Sequence, residues 1–313
     1  MANTTKTYSI ILSNIISNIM KKAGLYFSIL FFLALWTYNC QAQNPNSVQK
    51  EYEFVKYLLG NNLKSDADTW AQRDFSSKEY SLQEKDSLLF LKGWVFYSNR
   101  ELNKALEHFD SISLYSNLYN PAKYLSSIQN LYLDNLEQAK RNINSIEDTS
   151  VFCKELSSFT LSGIALMERD YNSFNNLKKD FSYENIYLTN HEKALDSIYN
   201  RISNYKKKSP FLAGALSAVI PGLGKIYAGE IGEGVGAFLT VGSFAAICAE
   251  NWIHHGITNW KTIGAGLVST VFYIGNIYGS AVSVKLKYEE FNKKQNVEIL
   301  YNIHIPIRNT FRP

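Results

Sequence analysis

The sequence predicts an all-α protein, a stack of helical hairpins followed by a hairpin of membrane helices. Ala71, Ala105, Ala139 and Ser173 stand 34 residues apart, and four residues after each comes a large apolar side chain: Phe75, Phe109, Ile143 and Leu177. A fixed period of this length marks stacked helix pairs, in which a small residue lets two helices approach and a bulky one fills the space beside it. Between about Tyr52 and Tyr205 the apolar residues recur at helical offsets. Outside that polar middle, apolar residues gather at 25 to 37 and again at 211 to 284.

Composition narrows the function classes. The chain has 313 residues, 46% of them hydrophobic, and a formal charge of only +4. Its lysines cluster beside apolar segments, as at a membrane surface, which argues against nucleic acid as a partner. Cys40, Cys153 and Cys248 fall in three different kinds of segment. Their spacing offers neither a disulfide framework nor a metal site.

The N-terminus reads as an export signal behind an extra stretch. Met20-Lys21-Lys22 opens it, an apolar run from Ala23 to Trp36 follows, and Cys40-Gln41-Ala42-Gln43 approaches the cleavage point. Met20 reads as the start, and cleavage after Ala42 puts Cys40 at the −3 position. Asn39 is not the small residue that a lipidation motif wants before its cysteine. The Gln-Ala-Gln ending resembles signal peptides of Gram-negative bacteria. An uncleaved anchor is the alternative, although the run is shorter than the ~20 residues a span prefers.

Residues 46–205 read as the repeat domain. In its clearest unit Leu89, Phe90, Gly93, Phe96 and Tyr97 mark one helix, residues 99–103 turn, and Ala105, Leu106, Phe109 and Ile112 mark the second. Gly93, Phe96, Ala105 and Phe109 sit at the offsets of the tetratricopeptide repeat, and the unit resembles that family. Lys92 stands where a leucine is usual, and Asn117 where a late proline is expected. The unit before has Leu59 in place of the glycine and the one after has Ser127; in the last, Gly163 falls two residues late. Three to four hairpins follow, closed by a helix around Ala194 to Ile202. Because each hairpin covers its neighbour's apolar stripe, the stack curves into a groove where a peptide or partner helix would lie.

A boundary at Lys206-Lys207-Lys208-Ser209-Pro210 opens the membrane segment, residues 209–288, with serine as helix cap and proline in the first turn. Phe211 to Ile220 is a short apolar helix. Further apolar runs cover Gly234 to Ala249 and Ile263 to Val284, the latter 22 residues and roughly 33 Å long as a helix. Ala228, Gly232 and Gly236, and on the last helix Gly275 and Gly279, form two smooth faces on which backbones can touch. Trp252 and Trp260 bracket the loop, and Lys285 and Lys287 follow the last run, as interfacial anchors do. Gly224-Lys225 is not a phosphate loop: Val219 replaces its first glycine and Ile226 its hydroxyl residue. Pro221-Gly222-Leu223-Gly224 with Tyr227 and Gly229 instead resembles the entry motif of small bacterial domains built on two transmembrane helices. That resemblance implies a tight glycine bend and an interfacial tyrosine, and no activity.

Glu230 and Glu233 precede the second apolar run and His254 and His255 follow it, an arrangement that separates them across the bilayer rather than joining them in a metal or proton site. Asn276 is the intramembrane candidate for an interhelical hydrogen bond. The export signal puts the repeats in the periplasm, whereas lysines at 206–208, 285, 287, 293 and 294 favour the cytoplasm. A third crossing by Phe211 to Tyr227 would relieve half of that conflict. In the tail, residues 289–313, Val297, Ile299, Tyr301, Ile303 and Ile305 alternate like a strand until Pro306, so the tail reads as a lone strand or as disorder.

No nucleophile, base and orienting group can be placed together, so the sequence argues for no enzyme and no cofactor. It reads as a scaffold or adaptor of the bacterial inner membrane, with lipid and another envelope protein as partners. The alternative is a membrane-active component in which the glycine faces assemble a homo-oligomer that assists protein insertion or transport and the repeats regulate it.

Overall fold

The computed structural model describes residues 48–75, 80–148 and 150–313, and all regular structure among the described residues is helical. The expected leader, with Met20 and Cys40, lies outside them. The chain divides into two compact units at Phe75 and Ser76, not near residue 205 where its composition changes. The first unit contains a hairpin of α1 (Val48–Gly60) and α2 (Lys64–Ala71). Its Trp70 and Ala71 are buried, the Trp70 indole donates to Glu51 at 2.6 Å, and Phe75 tilts against the indole ring.

In the second unit three hairpins follow in turn, α3 (Leu82–Ser98) with α4 (Leu102–Asp110), α5 (Tyr119–Tyr132) with α6 (Leu136–Asn144), and α7 (Val151–Glu168) with α8 (Tyr171–Leu177). A short 3₁₀ turn at Lys178–Asp180 leads to α9 (Thr189–Ser203). Helix starts follow from capping: Ser81 and Glu84 form a reciprocal capping box on α3, Ser150 caps α7 and Asp170 caps α8. The hairpins share one turn. Glu101, Asn135 and Asp170 each return a backbone N–H to the carbonyl five residues back, at 2.8 Å, with Arg100, Asp134 and Arg169 left-handed before them. The first unit's hairpin repeats it at Asn62 and Leu63. Aspartate and asparagine tolerate this conformation, whereas the two arginines take it at a cost of about 1–2 kcal/mol.

The small and large repeat residues occupy the cores of their hairpins. Ala105, Phe109, Ala139, Ile143 and Phe96 are buried, and a Cβ on Gly93 would lie 2.7 Å from the Phe109 ring, so glycine permits the approach of α3 and α4. The last hairpin departs from the ladder. Ser173 and Leu177 are only half-buried, Phe174 fills the core, and the Ser173 N–H donates to the cap carboxylate of Asp170.

Beyond α9 come α10 (Pro210–Val219), α11 (Leu223–Ala228), α12 (Ile231–His255) and α13 (Trp260–Phe311). Ser209 caps α10, with Pro210 in the first turn. Between α10 and α11 the chain reverses at Pro221-Gly222, with Gly222 at φ +84°. The Ser209 N–H donates to the Tyr227 hydroxyl at 3.3 Å and the Lys208 ammonium to the Tyr227 carbonyl at 2.6 Å. The segment therefore returns to the level where it began. Buried polar groups close the bend: Asn276 accepts the Gly222 N–H at 3.1 Å, Ser217 accepts the Gly224 N–H at 2.9 Å, and the Ser217 and Ser280 hydroxyls meet at 2.7 Å. Asn276 thus bonds between helices.

Two helices, α12 and α13, are long and apolar enough to cross a membrane, and only 11% and 22% of their most apolar windows are buried within the chain. They form a hairpin through Gly256, with Asn259 capping α13 and Phe244 stacked on Phe272. The Lys287 ammonium approaches Glu230 at 3.8 Å, so the start of α12 and the exit from the apolar part of α13 share one level. His254 and His255 lie at the far end of α12, roughly 35 Å from Glu230 along its axis.

Within the chain the glycine faces meet no neighbouring backbone. A Cβ on Gly232, Gly236 or Gly275 would meet nothing within 4 Å, and one on Gly279 would reach only the Lys225 side chain at 3.8 Å. Close approach occurs at the bend instead, where a Cβ on Gly224 would lie 1.9 Å from the Ala213 carbonyl and one on Gly222 1.9 Å from that of Gly234. Four-residue spacing marks a smooth stripe, but the neighbour is chosen by the fold of the bend. Gly229, at φ +102°, turns the chain into α12. Gly224→Ala should therefore abolish a cooperative thermal transition in detergent, while Gly236→Ala should leave it unchanged or raise stability by about 1 kcal/mol through helix propensity. Equal melting of the two variants would contradict this packing.

Candidate functional site

The site is the face of the hairpin stack formed by α5, α7 and α9, and the chain's own tail occupies it. Helix α13 runs for 52 residues, and its last part packs on α5, α7 and α9. This overturns the strand or disorder expected for residues 289–313. Gln295, Ile299, Asn302, Ile303, Pro306 and Ile307 are buried while Val297 and Tyr301 are exposed, a helical stripe that happens to overlap an alternating pattern. Pro306 removes one helix donor, at a typical cost of about 3 kcal/mol. Burial of Ile303 and Ile307 on either side, and the stacking of Phe311 on Tyr124 at 5.0 Å, oppose that cost.

The fit is close. A Cβ on Gly163 of α7 would lie 2.3 Å from Cδ1 of Ile303, so the glycine makes room for the tail. Polar contacts fix the register along its length. Arg169 donates to Asn296 and Asn292, each at 2.9 Å, and to the carbonyl of Leu166 at 2.6 Å. Arg201 donates to Gln295 at 3.1 Å and pairs with Glu298 at 2.6 Å, and His191 bonds Asn302 at 2.9 Å. Tyr205 stacks on Phe291 at 4.0 Å where the tail enters. A left-handed turn residue thus doubles as the clamp on the tail.

His304 sits between two tyrosines, with Nε2 against the Tyr97 hydroxyl and Nδ1 against that of Tyr132. A neutral imidazole satisfies both, accepting from one hydroxyl and donating to the other. Burial, and secondarily the Arg308 cation, hold the imidazole down at about 4. Burial also raises both tyrosines, so they stay protonated. Elsewhere Glu155 and Glu192 clasp the loop before α9, accepting the N–H groups of Ser182 and Tyr183 at 3.0 Å. Burial, then Glu155, push Glu192 up to about 7. The pair is engaged in holding backbone, which is a structural task.

Among the described residues no three histidine, cysteine or carboxylate groups gather as a metal site. Of the predicted positions, Ala71, Gly93, Phe96, Ala105, Phe109, Ala139 and Ile143 lie in the hairpin cores, Phe75, Ser173 and Leu177 at their half-buried margins, Pro221, Gly222, Gly224, Tyr227, Gly229 and Asn276 at the bend, and Gly232, Gly236, Gly275 and Gly279 on open helix faces. The tail-holding roles of Tyr97, Tyr124, Tyr132, Gly163, Arg169, Arg201 and His304 escaped the sequence reading, because each meets a partner far along the chain. Gly163, two residues off register, was the one local signal. Comparison with protein-family models, curated proteins and solved structures finds no match.

Two outcomes follow. Ile303→Ala should weaken tail docking by about 2–5 kcal/mol, seen as faster tryptic cleavage after Lys293 and Lys294 at neutral pH; unchanged protection would contradict the packing. For His304 the folded value lies below the unfolded one, so docking is fully favoured above about 6.5 and weakens as pH falls toward 4. A spin label at Asn309→Cys should become mobile across that window, and His304→Gln should flatten the profile.

Proposed function

We propose that this chain is a membrane-tethered adaptor of the bacterial envelope, whose tetratricopeptide-like stack receives an amphipathic helix from another envelope protein in competition with its own C-terminal segment. The observation that supports it is the groove's present occupant. A face that accommodates Ile299, Ile303 and Ile307 on one side of a helix is shaped for amphipathic helices as a class. An intramolecular helix has a high effective concentration, so the tail sets a threshold that a partner must exceed.

Tethering is supported by the open apolar surface of α12 and α13 and by the continuity of α13, which joins that surface to the stack without a hinge loop. The re-entrant α10 and α11 leave two crossings, with stack, tail and lysines 206–208, 285, 287, 293 and 294 on one side. The leader-like sequence supports the periplasmic side. The charge bias favours the cytoplasmic side, but we weight it less because lysine snorkels to either headgroup layer. A second reading, a membrane-active oligomer, draws on the open Gly232, Gly236 and Gly275.

A photo-reactive residue at Tyr132 tests the adaptor in cells. It should cross-link to the tail in the intact chain and to a second envelope protein once residues 295–313 are removed. Cross-linking to no other protein in either form would refute the adaptor, and loss of a cellular phenotype on Gly275→Leu with unchanged cross-links would favour the oligomer. For orientation, Lys193→Cys in a chain without Cys40, Cys153 and Cys248 should react with an impermeant maleimide in spheroplasts. Reaction only after lysis would put the stack in the cytoplasm.

A further inference from the structure

At the seam between stack and apolar hairpin lies a pocket of about 350 Å³. Lys206, Lys208, Lys287 and Lys294 line it, against a single lining carboxylate, Glu290. Its remaining walls are Ala228, Val284 and the stacked pair Tyr205 and Phe291. Lys287 is shared between Glu290 at 3.1 Å and Glu230 at 3.8 Å, and Lys208 is held on the Tyr227 carbonyl. Lys206 and Lys294 have no carboxylate partner among the described residues. The pocket therefore combines an excess of positive charge with an apolar floor.

We propose that this pocket binds the phosphodiester headgroup of an anionic phospholipid, with the lysines on the phosphate and an acyl chain leaving over Ala228 and Val284. The site's position argues for lipid over a soluble phosphate. Val284 ends the apolar run of α13, and Lys287 and Lys294 follow one and three turns later. At the other wall Lys206 and Lys208 immediately precede the apolar start of α10. A headgroup at the boundary would meet both sets of lysines at once, and its tail would meet the exposed flank of the hairpin. Bound there, the lipid would brace the joint where Tyr205 and Phe291 admit the tail to the groove.

The inference rests on the membrane reading, so the test separates the two. Full-length chain in neutral detergent is titrated with phosphatidylglycerol, phosphatidylcholine or glycerol phosphate, and retained ligand is counted by native mass spectrometry; membrane insertion is scored separately by carbonate extraction from phosphatidylcholine vesicles. Phosphatidylglycerol should be retained and the other two should not. Each interfacial lysine contributes roughly five-fold, so Lys206→Gln with Lys294→Gln should weaken retention about 25-fold. The surface pair Lys179→Gln with Lys193→Gln, carrying the same charge change, should alter it by less than about two-fold, and matched melting curves check that both pairs fold. Equal loss in the two pairs, or equal retention of phosphatidylcholine, would overturn the pocket while leaving the membrane reading intact. Retention of glycerol phosphate as strongly as the lipid would mean a soluble-phosphate site and also overturn it. Extraction of the wild-type chain by carbonate would defeat both.

Discussion

Ile299, Ile303 and Ile307 lie on one face of α13 and are fully buried against the hairpin stack, and the arrangement of the second unit depends on that seating. Without the tail, one side of α5, α7 and α9 would be left uncovered, and the surface that packs on the isoleucines would face water. One continuous helix covers that side and then passes into the apolar hairpin. Stack and hairpin are consequently one body, although they differ sharply in composition.

Continuity of α13 also converts a local bend into a global constraint. Gly222, Gly224 and Asn276 fix α10 and α11 against α13 at one end, while Arg169, Arg201 and His304 fix the same helix to the stack at the other. A helix transmits rotation and translation along its axis far better than a loop. Anything that changes the seating of the tail therefore changes the relation between stack and hairpin, and a lipid at the joint would act on the same element. The polar contacts supply register, while the isoleucines supply most of the favourable burial.

Much of this was legible in the chain. The alternation of alanine and phenylalanine through residues 105 and 109, the Ser209-Pro210 helix start and the Asn276 hydrogen bond are local patterns whose physical reasons act within a few residues or one helix face. The tail was not legible, because Ile299 and Ile303 fit a period of two as well as a helical face, and Pro306 read as a stop. Only the groove decides between those readings, and the groove is assembled from residues 97 to 201. The close approaches at Gly222 and Gly224 were not legible for a related reason: spacing shows that a stripe is smooth but not what lies opposite. The recurrent turn went unseen because arginine, not glycine, holds its left-handed position at 100 and 169.

The central claim is that residues 295–311 are a docked helix in the resting protein, and amide hydrogen exchange on the full-length chain in lipid nanodiscs at neutral pH tests it most directly. The account predicts protection of those amides comparable to that of α5 and α7. Exchange at the rate of an unstructured chain, with α5 and α7 still protected, would contradict it.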